Sequence, residues 1–139
     1  MYIKLTKNNT MASIFSKIIS GELPSYKVAE TEEFLAFLDI NPNVKGHTLC
    51  IPKKEVNKLF DLEKDTYAGL MEFSRKVAIA LEKVIPCKRV GMTVIGLEVP
   101  HVHVHLIPLN AMGDMNFAHK KQFSKEEFQE IADKVKAEV

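Results

Sequence analysis

Three histidines occupy alternate positions, His101, His103 and His105, in the segment Pro100-His-Val-His-Val-His-Leu-Ile-Pro108. In an extended chain the side chains of residues i, i+2 and i+4 share one face, so the imidazoles form a row with neighbours roughly 6.6 Å apart. Imidazole titrates at about pH 6.5 and serves as a neutral nucleophile or a cationic donor, its neighbours choosing between the two. The middle ring can attack a phosphorus atom while the outer two donate to its non-bridging or leaving oxygens. One displacement is then split into two through a phosphohistidine-type intermediate. The same spacing suits a metal: strand histidines one residue apart bind zinc, and His47 or Glu98 can supply a further ligand. A third reading, three rings filling an interior, leaves several ring nitrogens in need of buried partners.

The elements around this row follow from pattern. Ile14, Phe15, Ile18 and Ile19 have helical spacing, stopped by Gly21 and Pro24. Tyr26 to Glu30 and Glu33 to Asp39 read as a hairpin, followed by a loop at Asn41-Pro42-Asn43 and Lys45-Gly46, then a strand from His47 to Pro52. Between Leu62 and Ile85, apolar residues at three- and four-residue steps predict a long amphipathic helix. Arg89 to Ile95 and Val99 to Ile107 complete a set of five strands, with a tight connection at Gly96-Leu97-Glu98. The alternation sends Val102, Val104 and Leu106 into a core beneath the helix. Ser124 and Glu127 form a capping-box pattern ahead of a C-terminal helix. The expected class is α+β with an antiparallel sheet. Residues 1–12 are expected to be an N-terminal extension, 13–110 the domain, and 111–139 a C-terminal loop and helix.

Composition narrows the functions. With 19 Lys and Arg against 18 Asp and Glu over 139 residues, the net charge is +1, and no basic stripe is present. Extended nucleic-acid binding is therefore not expected. The chain has no apolar run of membrane-spanning or signal-peptide length, and its two cysteines, Cys50 and Cys87, suit a reducing compartment. These features predict a cytoplasmic protein without a membrane segment.

The segment His-Val-His-Val-His-Leu-Ile-Pro resembles the His-x-His-x-His-x-x signature of the histidine triad (HIT) superfamily. Ser13-Ile-Phe-Ser-Lys-Ile-Ile-Ser-Gly-Glu-Leu-Pro24, Phe34-Leu-Ala-Phe-Leu-Asp-Ile-Asn-Pro42 and Lys45-Gly-His-Thr-Leu-Cys-Ile-Pro-Lys53 are similar to successive signatures of its Hint branch, in matching order. The resemblance runs from about Ser13 to Pro108. It implies a HIT-like fold, with a five-stranded antiparallel sheet, a long helix and a short N-terminal helix, in a homodimer whose two sheets join into one. It implies a nucleotide hydrolase or transferase that releases a nucleoside monophosphate from a purine nucleoside phosphoramidate or similar conjugate, without a metal or other cofactor. In that reading His103 is the nucleophile at the α-phosphate, His101 and His105 contact the phosphate and leaving group, and His47 supports the triad. Asp39 binds ribose hydroxyls. Phe15, Ile18, Leu23 and Phe37 or Leu38 wall the base, and Leu97, Glu98 and Val99 lie in the loop beside the phosphate.

Each assignment has a plainer rival: Asp39 can cap the turn at Asn41-Pro42, Phe15 and Ile18 can be ordinary core, and His47 alone can be a satisfied histidine. The chain also departs from the family pattern. Ser13 and Ser16 stand where many bacterial relatives have zinc-binding cysteines, so no structural zinc is expected. Leu97 replaces an expected phosphate-binding Gln, and Thr93 stands near an expected Asn. His105, where related uridylyltransferases have Gln, favours water as the final acceptor. Two alternatives stay open: a nucleotide-binding signalling module with little turnover, and a metal site on the histidine row. His119 has no assigned role.

Overall fold

The computed structural model describes residues 12–139. The expected extension at residues 1–12 lies, except for Ala12, outside the described residues.

Helix α1 (Ala12–Ser20) ends where Gly21 takes φ +86°, a conformation glycine adopts without a Cβ penalty. The Gly21 N–H closes onto the Ile18 carbonyl at 3.2 Å. Strands β1 (Lys27–Glu30) and β2 (Phe34–Leu38) form the expected antiparallel hairpin. Its turn is held by Thr31, whose Oγ1 accepts from the N–H groups of Glu33 and Phe34. Strand β3 (Thr48–Pro52) pairs along all of β2, and α2 (Lys64–Val84) follows as the long helix. Strands β4 (Arg89–Thr93) and β5 (Val104–Leu109) complete an antiparallel sheet in the order β1-β2-β3-β5-β4. A C-terminal helix, α3 (Lys125–Glu138), starts at the predicted capping box: Ser124 Oγ accepts from the Glu127 N–H at 3.1 Å, and Glu127 returns a carboxylate oxygen to the Ser124 N–H.

Period-two alternation divides the core. Val102, Val104 and Leu106 join Ala36, Leu38 and Cys50 beneath α2 and α3. Leu35, Phe37, Leu49 and Ile51 face the other way, where Phe15 of α1 and Val99 cover them. The functional face of the sheet is this second one.

The expected strand from Val99 to Ile107 is corrected: regular pairing begins only at Val104, and the chain from Val94 to His103 is a loop rather than a tight connection. Pro100 supplies the reason, since it has no N–H to give a ladder. The next residues spend their donors outside the sheet: the His101 N–H bonds the nearby Val99 carbonyl at 2.9 Å, and the Val102 N–H bonds the distant Val56 carbonyl at 2.8 Å. His101 and His103 therefore lie ahead of the strand, and the expected straight row of three imidazoles is bent.

Candidate active site

The sheet brings the site together at the junction of β2 and β3. Asp39 lies one residue beyond β2 and His47 one residue before β3, and the Asp39 N–H bonds the His47 carbonyl at 2.9 Å. Between them Gly46 takes φ +90°, and a Cβ there would meet Ile85 Cγ1 at 2.8 Å. His105 pairs across from Leu49 on β5 and so shares its face.

The partners of the four buried imidazoles determine where each proton sits. An amide N–H can only donate, so His47 Nδ1 accepts from the Asn43 N–H at 3.0 Å and its Nε2 carries the proton. His47 Nε2–H then donates to His105 Nδ1 at 2.9 Å, which leaves the proton of His105 on Nε2. A carbonyl can only accept, so His103 Nδ1–H donates to the His101 carbonyl at 2.7 Å and its Nε2 keeps a lone pair. His101 Nε2–H donates in the same way to the Pro52 carbonyl at 2.7 Å, and its buried Nδ1 has no partner among the described residues. The rings of His103 and His105, with centroids 4.9 Å apart, thus present a lone pair and an N–H side by side.

Burial keeps these rings neutral. It pushes His47 and His105 down to about 3, helped by the charges of neighbouring imidazoles and Lys120. His101 and His103 also lie below the usual histidine value, again mainly through burial. Burial raises the Asp39 carboxyl. One Asp39 oxygen accepts from the Asn41 N–H at 2.8 Å, the turn-capping contact, while the other lies 3.6 Å from His47 Nε2.

A cavity of about 860 Å³ opens in front of His103 and His105. Its apolar wall includes Phe15, Ile18, Phe37 and Leu49, and its polar side Asp39, Glu98 and Lys120. Phe15 packs edge-on against Phe37, His101 and His103, with centroids 5.8, 5.5 and 5.3 Å away. Of the anticipated residues, Leu38 and Leu97 also line the cavity. Leu23, Val99, His101 and His47 do not: Leu23 is exposed beyond α1, Val99 is buried under the sheet, and the two histidines stand behind His103 and His105.

The sequence reading missed Asn43, Phe117 and Lys120. Phe117 stands edge-on to His47 and His105 at 5.9 and 4.9 Å, and Lys120 Nζ lies 4.9 Å above the Phe117 ring. The segment after Pro108 has no hydrophobic period, so only the short spacing of Phe117 and Lys120 was available as a signal.

Asp39, His47 and His105 hold potential metal-ligand atoms within 4.8 Å of one another. In the hydrogen-bonded arrangement, however, His47 Nε2 carries a proton and His105 Nδ1 accepts it, so neither offers a free lone pair to a cation. Along the histidine row, His101 Nε2 and His103 Nδ1 are likewise committed to carbonyls.

Comparison with known proteins gives consistent results. Residues 20–112 match the model of the HIT domain family. The adenosine 5'-monophosphoramidase of Schizosaccharomyces pombe is 41% identical over 100 residues, 70% of this chain and 74% of that protein. Among solved structures, a Hit-like protein involved in cell-cycle regulation from Bartonella henselae superposes with a TM-score of 0.80 at 30% identity, covering 97% of this chain and all of that one. A zinc-bound histidine triad family protein from Mycobacterium smegmatis gives a TM-score of 0.75 at 27% identity, over 89% of this chain and 90% of that one.

Proposed function

Since the chain belongs to the HIT domain family, whose similar members include an adenosine 5'-monophosphoramidase, we propose that it hydrolyses a purine nucleoside phosphoramidate or a related nucleotide conjugate at the α-phosphate. The observation that carries this reading is the neutral lone pair of His103 Nε2, held toward the cavity by the Nδ1–H bond to the His101 carbonyl. In the first step Nε2 forms a bond to phosphorus while the bond to the leaving amine breaks. The amine departs with that electron pair and takes up a proton from solvent, which the attacking water of the second step returns. His105 Nε2–H donates to a non-bridging oxygen as charge builds there. Water then displaces the imidazole from the nucleotidyl-histidine and a nucleoside monophosphate leaves. Asp39 holds the ribose hydroxyls, and Phe15, Ile18 and Phe37 take the base. In this scheme the His105 Nε2–H meets the developing charge, and no step calls for a metal.

The same reading makes the working form a cytoplasmic homodimer. Among the described residues strand β4 ends the sheet with one edge unpaired and exposes Met92, which supports pairing of two copies into a continuous sheet. Among the described residues no helix is long and apolar enough to cross a membrane.

The test is single-turnover release of AMP from an adenosine phosphoramidate by the wild type and by His103→Asn. Loss of release in the variant is expected, and undiminished release overturns the nucleophile assignment. One observation favours a second reading, a nucleotide-binding module with little turnover: Leu97 is 88% exposed where a phosphate donor would serve. Tight AMP binding without hydrolysis across a broad panel of conjugates would select it.

A further inference from the structure

The cavity has an unusual charge balance for a phosphate-binding site. Its lining carries two carboxylates, Asp39 and Glu98, and its imidazoles are kept neutral by burial. Among the described lining residues, Lys120 is the single Lys or Arg. A phosphoryl group entering this space meets repulsion from both carboxylates and needs an opposite charge.

Lys120 is anchored rather than loose. Its Nζ donates to Asn43 Oδ1 at 2.8 Å and sits over the Phe117 ring, and the Lys121 N–H fastens the backbone to the Pro42 carbonyl at 2.9 Å. Asn43 is 3% exposed and is itself locked on three sides, by Lys120, by the Asp114 carbonyl that accepts from its Nδ2 at 3.2 Å, and by His47 Nδ1. The ammonium has three N–H donors, and Asn43 uses one. Among the described residues no acceptor takes the other two, which remain for a ligand in the cavity. Holding the side chain in place beforehand removes part of the entropy that a flexible lysine loses on binding.

We propose that Lys120 is a specificity-determining residue of this site, its anchored ammonium selecting phosphorylated nucleosides over uncharged ones. The inference rests on the nucleotide reading given above. It assigns to the C-terminal loop the positive charge that the Leu97 loop does not provide.

The experiment measures equilibrium binding of AMP and of adenosine to the full chain as wild type, Lys120→Met and Lys120→Arg, at low and high salt. Lys120→Met is expected to weaken AMP about tenfold or more, as for loss of a charge-assisted hydrogen bond, while adenosine affinity moves by less than about twofold. The salt dependence of AMP binding should flatten in the same variant, and Lys120→Arg should restore most of the AMP affinity. Equal losses for AMP and adenosine would mean that Lys120 acts only by holding Asn43, and would overturn the proposal. So would unchanged AMP affinity. A wild type that binds neither ligand overturns the nucleotide reading and this inference together, whereas adenosine binding with an unaltered AMP preference overturns this inference alone.

Discussion

His47 Nε2 lies 2.9 Å from His105 Nδ1, and the Asn43 N–H on the far side of His47 decides which of the two carries the shared proton. A main-chain donor in the loop after β2 thereby sets the tautomer of a ring on β5. The N–H that His105 presents beside the His103 lone pair depends on that relay.

Replacing His47 by Phe keeps a planar ring but removes the donor to His105 Nδ1. In the variant His105 should lose its preference for the Nε2–H tautomer, and single-turnover release should slow about tenfold or more with little change in substrate affinity. Nitrogen NMR of the imidazoles reports the tautomer directly. An unaltered His105 tautomer would overturn the relay.

Acid should destabilise the fold earlier than carboxylate titration alone would. The folded-state values of His47 and His105 are pushed down to about 3, while in the unfolded chain both protonate at about 6.5. Above that value neither state binds the extra proton; below it the unfolded state does and the folded state does not. Stability is therefore lost as pH falls from about 6.5 towards 3. Urea unfolding at several pH values across this window measures the slope. A His47→Phe variant should show a shallower one.

Gly46→Ala meets two obstacles, the +90° φ and the 2.8 Å approach to Ile85 Cγ1. The expected destabilisation is about 2 kcal/mol or more, seen as a lower urea midpoint. The turn before His47 is also distorted, so AMP binding should weaken. A variant as stable as the wild type would refute the constraint at this turn.

Ser124→Ala removes one half of the capping box of α3, which packs on α2 and β1 away from the cavity. Stability should fall by about 1 kcal/mol while AMP affinity stays unchanged. A change in affinity would show that α3 reaches the site.

Much of the fold was legible locally. The alternation from Val102 to Leu106 assigns each residue its side of the sheet, because successive Cβ atoms in an extended chain point to opposite faces. Gly21 and the Ser124–Glu127 pair mark helix ends by chemistry contained within a few residues. Alternation continues through His101 and His103 and so suggests an earlier start for β5, but Pro100, the His101 bond to Val99 and the long-range Val102 bond to Val56 keep that stretch out of the ladder.

The sequence by itself determined that three imidazoles and two carboxylates were available, and, within β5, which side of the sheet each residue takes. Extended backbone geometry imposes that alternation over a few residues wherever the chain runs in the ladder. Only the tertiary structure decided which nitrogen of each ring holds a proton, and that His47 and His101 stand behind His103 and His105. It also delivered Lys120 to Asn43 across 77 residues. These outcomes depend on buried donors and acceptors that meet only when distant loops close over the sheet, and no local period encodes such a meeting.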